Sequence, residues 1–405
     1  MTGQPMALKG LKVVEVGGYA AGPWIGKLLA NYGATVIHIE ARDRPDGFRL
    51  QYPPYPQGKK GINRSGCFSY FNDSKYDVTI DVKKPGGLEL ARMLAEWADV
   101  LIENMRPGVI DRIGLGYEHL KKTNPDLVFM STCNMGQTGP RAATGGFGSQ
   151  LSALAGFCGL TGEAEGTPQL LYGPYIDFVA ALVGTPLILA ALDRRQKTGE
   201  GCFIDVSQYE CGAFFLAGSL FDYHANGKVI ERNSNADAVA CPHNAYPCKG
   251  DDQWIALSCW SDAEFRTLAK LAGQKWAADK RFKTAAQRRK NTAALDKAIA
   301  AWTKKQKVET LVETLQAAGL RAYNVNTCAD LFEDPQLTHR KTWRVRKHPE
   351  IDYQAHYFPG FDLSEQPGEV TAPAPTIGQD NEIVFRQYLG LSDEEYRKLK
   401  ENCVI

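Results

Sequence analysis

Apolar strand patterns alternate with helical patterns along the first third of the chain, and this alternation constrains the fold more than any other feature. The opening stretch predicts a strand over Leu11–Val16, a glycine-containing turn, a helix to about Tyr32 and a strand over Thr35–Glu40. The alternation continues with further strands at 76–82, 99–103 and 126–134 and a helix at 86–98. Strands separated by helices usually pair in parallel through crossover connections. The pattern therefore predicts a doubly wound α/β domain built on a Rossmann-like parallel sheet.

The chain is long enough for more than one domain. At 405 residues it exceeds the length that a single hydrophobic core usually supports. We expect residues 1–225 to form the large Rossmann-like domain. From residue 226 the pattern changes to a short strand at 253–259 and Lys- and Ala-rich helical stretches, which predicts a smaller α+β domain over 226–330. Residues 331–405 end in a helical pattern and are expected to return to the large domain.

Charge, cysteine usage and hydropathy exclude several classes of function. The formal net charge is +1, so no overall field favours nucleic acid or an anionic membrane. Ten cysteines are scattered without a CxxC pair, and no basic stretch leads into an apolar region at the N-terminus, which fits a reducing cytoplasm. The longest uncharged apolar run, Phe178–Leu192, is shorter than the roughly 20 residues that cross a bilayer, which favours a core helix.

Common catalytic motifs are missing. The sequence contains no HExxH, GxSxG or P-loop, and "GGYAAGP" departs from the GxGxxG spacing of nicotinamide-binding loops. Cys241, His243 and Cys248 are close together, but "CPHNAYPC" lacks the spacing and the fourth ligand of a zinc site. No metal or nicotinamide site is therefore expected.

Basic residues follow or precede the predicted strands, where α/β folds bind ligands. Their charges could hold phosphates, or they could form an ordinary solvated rim. The residues concerned are Arg42, Arg44, Arg49, Lys75, Arg106 and Arg112.

Several ordered blocks of sequence resemble one known family. They are "AGPWIGKLLANYGATVIHIE", "NDSKYDVTIDVK", "ADVLIENMRPGVIDRIGLGYEHLKKTNPDLVFMS", "GQTGP", "RRQKTGEGCFIDVSQYE" and "GLSDEEYRKLKENCVI". Together they resemble the class III CoA-transferases, the family of formyl-CoA, carnitine and benzylsuccinate CoA-transferases, over nearly the whole chain. The resemblance implies an interlocked dimer, which could be a homodimer or a heterodimer with a related subunit.

The resemblance also implies a catalytic residue. In this family the nucleophile is an aspartate at the start of the helix that runs into a "KTGxG" turn, and Asp177 lies at the matching distance before Lys197–Gly201. It would attack an acyl-CoA thioester to give a mixed anhydride, and the CoA thiolate would return to form an aspartyl-CoA thioester that an acid attacks. From position alone, a helix N-cap is the favoured interpretation of Asp177, and the resemblance reverses that preference.

By the same resemblance, coenzyme A enters as a thioester substrate, with no permanently bound cofactor, metal, nicotinamide or ATP. The implied CoA contacts are Arg42, Lys75, Asn104, Met105, Arg106 and Arg112. Arginine suits phosphate through its planar fork of donors, whereas lysine acts as a point charge.

Two other functions remain open from the sequence. An α-methylacyl-CoA racemase would pair the aspartate with a histidine, but the corresponding stretch "GFGSQ" has Phe147 at that position. The chain could also be one subunit of a hetero-oligomeric CoA-transferase. For a stand-alone transferase the hypothesis is succinyl-CoA as donor and an aryl dicarboxylate such as benzylsuccinate as acceptor. It rests on aromatic residues near the expected pocket, which could equally be core residues: Tyr19, Trp24, Tyr52, Tyr55, Phe147, Tyr172 and Tyr175.

Overall fold

The computed structural model describes residues 5–405, and the chain divides into two compact units. The larger unit contains the chain up to Gly159, Gln169–Ile230 and Gln336–Ile405, and the smaller contains Leu160–Pro168 and Glu231–Pro335. These boundaries lie at 230 and 335, where the sequence predicted 225 and 330. The sequence pattern did not separate Leu160–Pro168, which joins the smaller unit because Ser234 hydrogen-bonds to Gly162 and Glu163.

A six-stranded parallel sheet forms the centre of the larger unit. Its strands are β1 (Lys12–Val16), β2 (Thr35–Glu40), β3 (Tyr76–Thr79), β4 (Val100–Glu103), β5 (Val128–Cys133) and β6 (Cys202–Ser207). They lie in the order β3-β2-β1-β4-β5-β6, and every neighbouring pair is parallel. The predicted Rossmann-like α/β fold is confirmed. The strand order reverses between β1 and β4, and ligands of such sheets bind at the carboxyl ends of the strands near that point.

Helices cover both faces of this sheet. Successive strand residues point to opposite faces, so that Val13 belongs to one core cluster and Val14 to the other. The helices between residues 21 and 226 are α1 (Ala21–Asn31), α2 (Gly47–Leu50), α3 (Gly66–Asn72), α4 (Gly87–Trp97), α5 (Val109–Arg112), α6 (Tyr117–Leu120), α7 (Gly148–Leu154), α8 (Phe157–Leu160), α9 (Tyr175–Thr198), α10 (Gln208–Phe215) and α11 (Ala217–Asn226), with a 3₁₀ turn at Pro56–Gly58.

The long helix α9 contains the apolar run noted in the sequence. One face is buried in the first core cluster through residues such as Val179, Ala180 and Ile188. The other face is open, with Leu182 57% exposed, so only part of the helix is the core helix that the sequence predicted. Within residues 5–405 this is the one helix with the length and composition of a membrane span, a test that core helices also pass.

The smaller unit is built on an antiparallel sheet with strands in the order β7-β8-β9. Its apolar core includes Tyr246, Leu257 and Leu315. The elements of this unit, in sequence order, are β7 (His243–Pro247), β8 (Trp254–Ser258), α12 (Asp262–Ala272), 3₁₀ turns at Lys275–Ala278 and Lys280–Phe282, α13 (Ala285–Lys290), α14 (Thr292–Thr303), α15 (Val308–Ala317), β9 (Arg321–Asn324) and α16 (Cys328–Glu333). The next helix, α17 (Pro335–His339), begins at the last residue of the smaller unit and continues into the larger one.

The C-terminal segment belongs to the larger unit. It contains β10 (Trp343–His348) and β11 (Asp352–Tyr357), which form an antiparallel pair, a π-helical turn at Ile383–Tyr388 and α18 (Asp393–Glu401). Val404 and Ile405 are buried in the second core cluster, and the amide of Asp81 donates a hydrogen bond of 2.8 Å to Val404 O. The end of the chain therefore helps to complete the core beneath the sheet.

Candidate functional site

A cavity of about 700 Å³ lies in the larger unit at the carboxyl ends of the central strands. Segments that follow β1, β4, β5 and β6 contribute to its wall, as do the first turns of α7 and α9. The lining includes Tyr19, Phe48, Tyr52, Cys67, Phe71, Asn104, Met105, Arg106, Pro107, Cys133, Asn134, Thr144, Gly146, Phe147, Gly148, Ser149, Tyr172, Pro174, Asp177 and Gln208. The cavity thus sits where the sheet order places a ligand site.

Asp177 reaches this cavity from the first turn of α9. The helix begins at Tyr175 with Pro174 as its N-cap, and the amide of Asp177 donates to Pro174 O at 3.0 Å. Asp177 is therefore the third helical residue, and the alternative that it is the N-cap is wrong. Gly148 allows the carboxylate to approach, because a Cβ on Gly148 would collide with Asp177 Oδ2 and lie 3.0 Å from Pro174 Cα.

The surroundings of Asp177 favour the neutral acid more than water does. Burial raises the pKa of its carboxyl from the usual 3.8 to about 7, while a hydrogen bond from its own backbone amide lowers it. No cation within residues 5–405 contributes to lowering that pKa. The side chain is nevertheless only half-buried, because it lines the cavity. Near neutral pH, both the ionised and the protonated forms of Asp177 are therefore populated.

The loop after β4 brings three of the predicted CoA contacts, Asn104, Met105 and Arg106, into the cavity wall. Asn104 joins the two sides of the switch point, because its Nδ2 donates to Gly18 O at 2.6 Å and its Oδ1 accepts from Gly18 N at 3.1 Å. Arg106 is exposed, and its guanidinium lies against the backbone of Gly145. Asn104 thus shapes the site, while Arg106 is left available to an anionic ligand.

Arg42 and Arg112 are exposed on loops and helices that follow β2 and β4, outside the cavity wall. Lys75 is fully enclosed instead. Its ammonium donates to both carboxylate oxygens of Glu15 at 2.8 and 3.0 Å, to Pro23 O at 2.7 Å and to Asn72 Oδ1 at 2.9 Å. The structure leaves its ammonium no donor for a phosphate, so we do not retain Lys75 as a CoA contact.

Four of the seven aromatic residues singled out from the sequence line the cavity: Tyr19, Tyr52, Phe147 and Tyr172. The rings of Tyr19 and Phe147 meet edge to face at 5.7 Å. Trp24, Tyr55 and Tyr175 lie outside the lining, and Trp24 is buried in the core. Within the described residues, the lining contains no histidine, so a second base of the kind that a racemase needs is not supplied there.

Sequence reasoning missed Gln208, which is buried in the cavity wall directly after β6. The rule that pointed to Arg106, namely position at the carboxyl end of a strand, also applies to Gln208. It was overlooked because glutamine carries no charge.

One group of potential metal ligands occurs among residues 5–405: His38, Glu40 and Asp77, all buried. The guanidinium of Arg49 is already paired with both carboxyl groups, with Nε 2.7 Å from Glu40 Oε1 and Nη2 3.2 Å from Asp77 Oδ2. This cluster is therefore an internal ion-pair network that does not reach the cavity.

Comparisons with known proteins agree with the fold and the position of this site. Residues 8–381 match the model of CoA-transferase family III. The chain is 31% identical over 402 residues to succinyl-CoA–D-citramalate CoA-transferase of Chloroflexus aurantiacus, covering 99% of this chain and 98% of that protein. It is 31% identical to the alpha subunit of succinyl-CoA–L-malate CoA-transferase of Chloroflexus aurantiacus, covering 100% and 94%. It is 29% identical to succinate–glutarate CoA-transferase of Agrobacterium fabrum, covering 94% and 95%.

A solved structure gives the same answer for the architecture. The crystal structure of a CAIB/BAIF family protein from Brucella suis superposes with a TM-score of 0.88 at 31% identity, and the match covers 95% of this chain and 100% of that one. The family match spans residues 8–381, and the three relatives cover 94–100% of the chain. The chain therefore belongs to CoA-transferase family III and is a CoA-transferase.

Proposed function

We propose that this enzyme moves CoA from succinyl-CoA to a dicarboxylic acid, with Asp177 as the covalent nucleophile. The observation that carries the proposal is a carboxylate in the wall of a cavity of about 700 Å³, at the N-terminal turn of α9. The free backbone amides of a helix start favour negative charge, which suits both the ionised carboxylate and the anionic intermediates that follow from it.

The reaction would proceed by exchange of acyl groups. An oxygen of ionised Asp177 bonds to the thioester carbon, and the C–S bond breaks to release CoA thiolate and leave a succinyl–aspartyl anhydride. The thiolate then attacks the aspartyl carbonyl, which releases succinate and forms an aspartyl-CoA thioester. The carboxylate of the incoming acid attacks the aspartyl-CoA carbonyl, which breaks the C–S bond and gives a second mixed anhydride and CoA thiolate. The thiolate then attacks the acceptor's carbonyl in that anhydride, which forms the new acyl-CoA and releases the carboxylate of Asp177. The net charge is conserved at every step, so no proton relay is needed.

For CoA binding we propose the loop Asn104–Arg106, with Arg42 and Arg112 as phosphate contacts outside the cavity. The loop lines the cavity, and all three arginine-bearing segments follow strands β2 and β4. Guanidinium groups bind phosphate bidentately, which suits the exposed side chains of Arg42, Arg106 and Arg112.

The acceptor acid has two candidate classes. The named relatives act on citramalate, malate or glutarate, which supports a short aliphatic dicarboxylate as the first. The aromatic wall that includes Tyr19, Phe48 and Phe147 supports an aryl-substituted dicarboxylate such as benzylsuccinate as the second, because an aromatic ring packs well against aromatic side chains. Product formation from succinyl-CoA with each acid, followed by chromatography of the CoA esters, distinguishes the two.

We also propose that a second chain covers the open face of α9 to α11. Large apolar residues are exposed on these helices, including Leu182 at 57% and Phe221 at 70%, and several exposed large apolar side chains on neighbouring helices support an interface. The partner would be a second copy or a related subunit. Twice the mass of one chain in solution would indicate a second copy, and the mass of a single chain would indicate a related subunit. Since all ten cysteines are free thiols, we place the enzyme in the cytoplasm.

The mechanism is tested by incubating the enzyme with succinyl-CoA, adding hydroxylamine and identifying the modified peptide by mass spectrometry. Hydroxylamine converts an aspartyl thioester or anhydride to a stable hydroxamate, which is expected on Asp177. Asp177→Asn should abolish the modification and the transfer activity. The matched control is Asp193→Asn, which removes an exposed carboxylate from the other end of the same helix and should leave both intact. Unmodified Asp177 in an enzyme that transfers CoA would refute the covalent mechanism.

A further inference from the structure

Gln208 has an unsatisfied polar atom beside the cavity. It is the first residue of α10, directly after β6, and it lines the cavity that contains Asp177. The residue is only 4% exposed, and its Oε1 has no hydrogen-bond partner within residues 5–405. Nearly all buried side-chain acceptors in folded proteins are paired with protein, water or ligand, so an unpaired one in a site wall marks a position that a water molecule or a ligand donor can fill.

Neighbouring polar groups are already engaged. The amide of Tyr209 donates to Asn134 O at 2.9 Å, and the amide of Glu210 donates to Ser207 Oγ at 3.2 Å. A substrate that leaves an enclosed oxygen without a donor binds about tenfold or more weakly than one that pairs it. A substrate that supplies a donor to Gln208 removes this cost, and a substrate without a donor leaves it in place.

Gln208 and Asp177 extend from one packing cluster. Ile176 and Tyr209, their immediate neighbours in sequence, belong to the same apolar cluster together with Leu151. Gly212 allows α10 to lie close to α9, because a Cβ there would collide with Ile176 Cδ1. Gln208 and Asp177 therefore line the same cavity from two helices that pack closely together.

We propose that Gln208 Oε1 accepts a hydrogen bond from a hydroxyl group of the substrate acid, so that this enzyme prefers hydroxy dicarboxylates. The inference rests on the proposed function. At neutral pH, carboxylates and thioester carbonyls are acceptors only, whereas a hydroxyl substituent on the acid adds a donor. A site with a buried polar group discriminates strongly against an analogue that leaves that group unpaired.

The test compares acids that differ only by a hydroxyl. Citramalate against methylsuccinate and 2-hydroxyglutarate against glutarate are two such pairs. With succinyl-CoA as donor, the unmodified enzyme should show a kcat/KM for each hydroxy acid at least about tenfold above that of its partner. Equal values, or higher values for the acids without a hydroxyl, would overturn the proposal.

The variant Gln208→Met keeps the approximate volume of the side chain and removes its hydrogen-bonding groups. It should reduce the preference within each pair to about one, mainly by lowering kcat/KM for the hydroxy acids. A purely structural role would instead lower both members of a pair by the same factor, and that result would contradict the proposal. If Gln208→Met does not fold, Gln208→Leu repeats the comparison. The preference between the acids is also measured with the unmodified enzyme, and that measurement does not depend on any variant.

Failure of this inference can be distinguished from failure of the proposed function. An enzyme that forms the Asp177 hydroxamate and transfers CoA without hydroxyl preference would refute only the role of Gln208. An enzyme that neither forms the hydroxamate nor transfers CoA to any of the four acids would refute the proposed function.

Discussion

The raised pKa of Asp177 predicts that this residue destabilises the folded protein at neutral and alkaline pH. Its carboxyl titrates near 3.8 when unfolded and at about 7 when folded, because burial disfavours the charged form. The folded protein binds this proton more tightly than the unfolded chain does. Protonation therefore stabilises the fold, and this stabilisation is complete below pH 3.8 and is lost as the pH rises through 7. Replacing Asp177 with asparagine, which is similar in shape and always neutral, should remove this loss.

The size of the effect follows from the two pKa values. Linkage between 3.8 and about 7 gives a destabilisation that grows by roughly 2–3 kcal/mol between pH 5 and pH 8 and then levels off. The variant Asp177→Asn should therefore gain that much stability relative to the unmodified protein on going from pH 5 to pH 8.

Denaturant unfolding followed by circular dichroism at the two pH values measures this difference. Asp193→Asn serves as the control, since Asp193 is exposed and paired with Lys197; its effect should not depend on pH between 5 and 8. A pH-independent effect of Asp177→Asn, or one of opposite sign, would show that the carboxyl is ionised at low pH and would refute the argument from burial.

Three further predictions concern Asp177, Gly148 and Lys75. The initial rate of Asp177 modification by succinyl-CoA, measured by quenched mass spectrometry across a pH series, should fall about tenfold per unit below pH 7, because only the ionised form attacks; a flat profile would contradict this. Gly148→Ala should slow the modification by about 100-fold by displacing the carboxylate, whereas Gly360→Ala, which has open space around it, should have no effect on that rate. Lys75→Met should lower the free energy of unfolding by about 3–5 kcal/mol, because Glu15 is left buried without its cation, while the KM for succinyl-CoA of the folded variant stays unchanged; a raised KM would restore Lys75 to the CoA site.

Local sequence patterns were sufficient to predict the strands of the parallel sheet and the helices between them. The strand predicted over Thr35–Glu40 has those bounds in the structure, and the helix predicted at 86–98 runs over Gly87–Trp97. Both predictions rest on the periodic placement of apolar residues, which depends only on neighbours along the chain. The parallel sheet followed from the alternation of these elements, since crossover connections leave few other arrangements.

Side-chain environment could not be obtained in the same way. Lys75 and Arg106 are both basic residues next to strands, yet one is enclosed by Glu15 and the other is exposed at the cavity. The difference depends on which residues from distant parts of the chain pack around each one. A pattern of charges along the sequence contains no information about that packing.

The α/β fold class, the family and the choice of Asp177 as the candidate nucleophile could be predicted from the amino-acid sequence, because each depends on local periodicity or on ordered blocks of residues. The third helical position of Asp177 against Gly148, the raised pKa of its carboxyl and, within residues 5–405, the unpaired Oε1 of Gln208 could be found only in the folded structure. These properties arise from close approaches and loss of solvent, which exist only when segments far apart in the sequence have packed together.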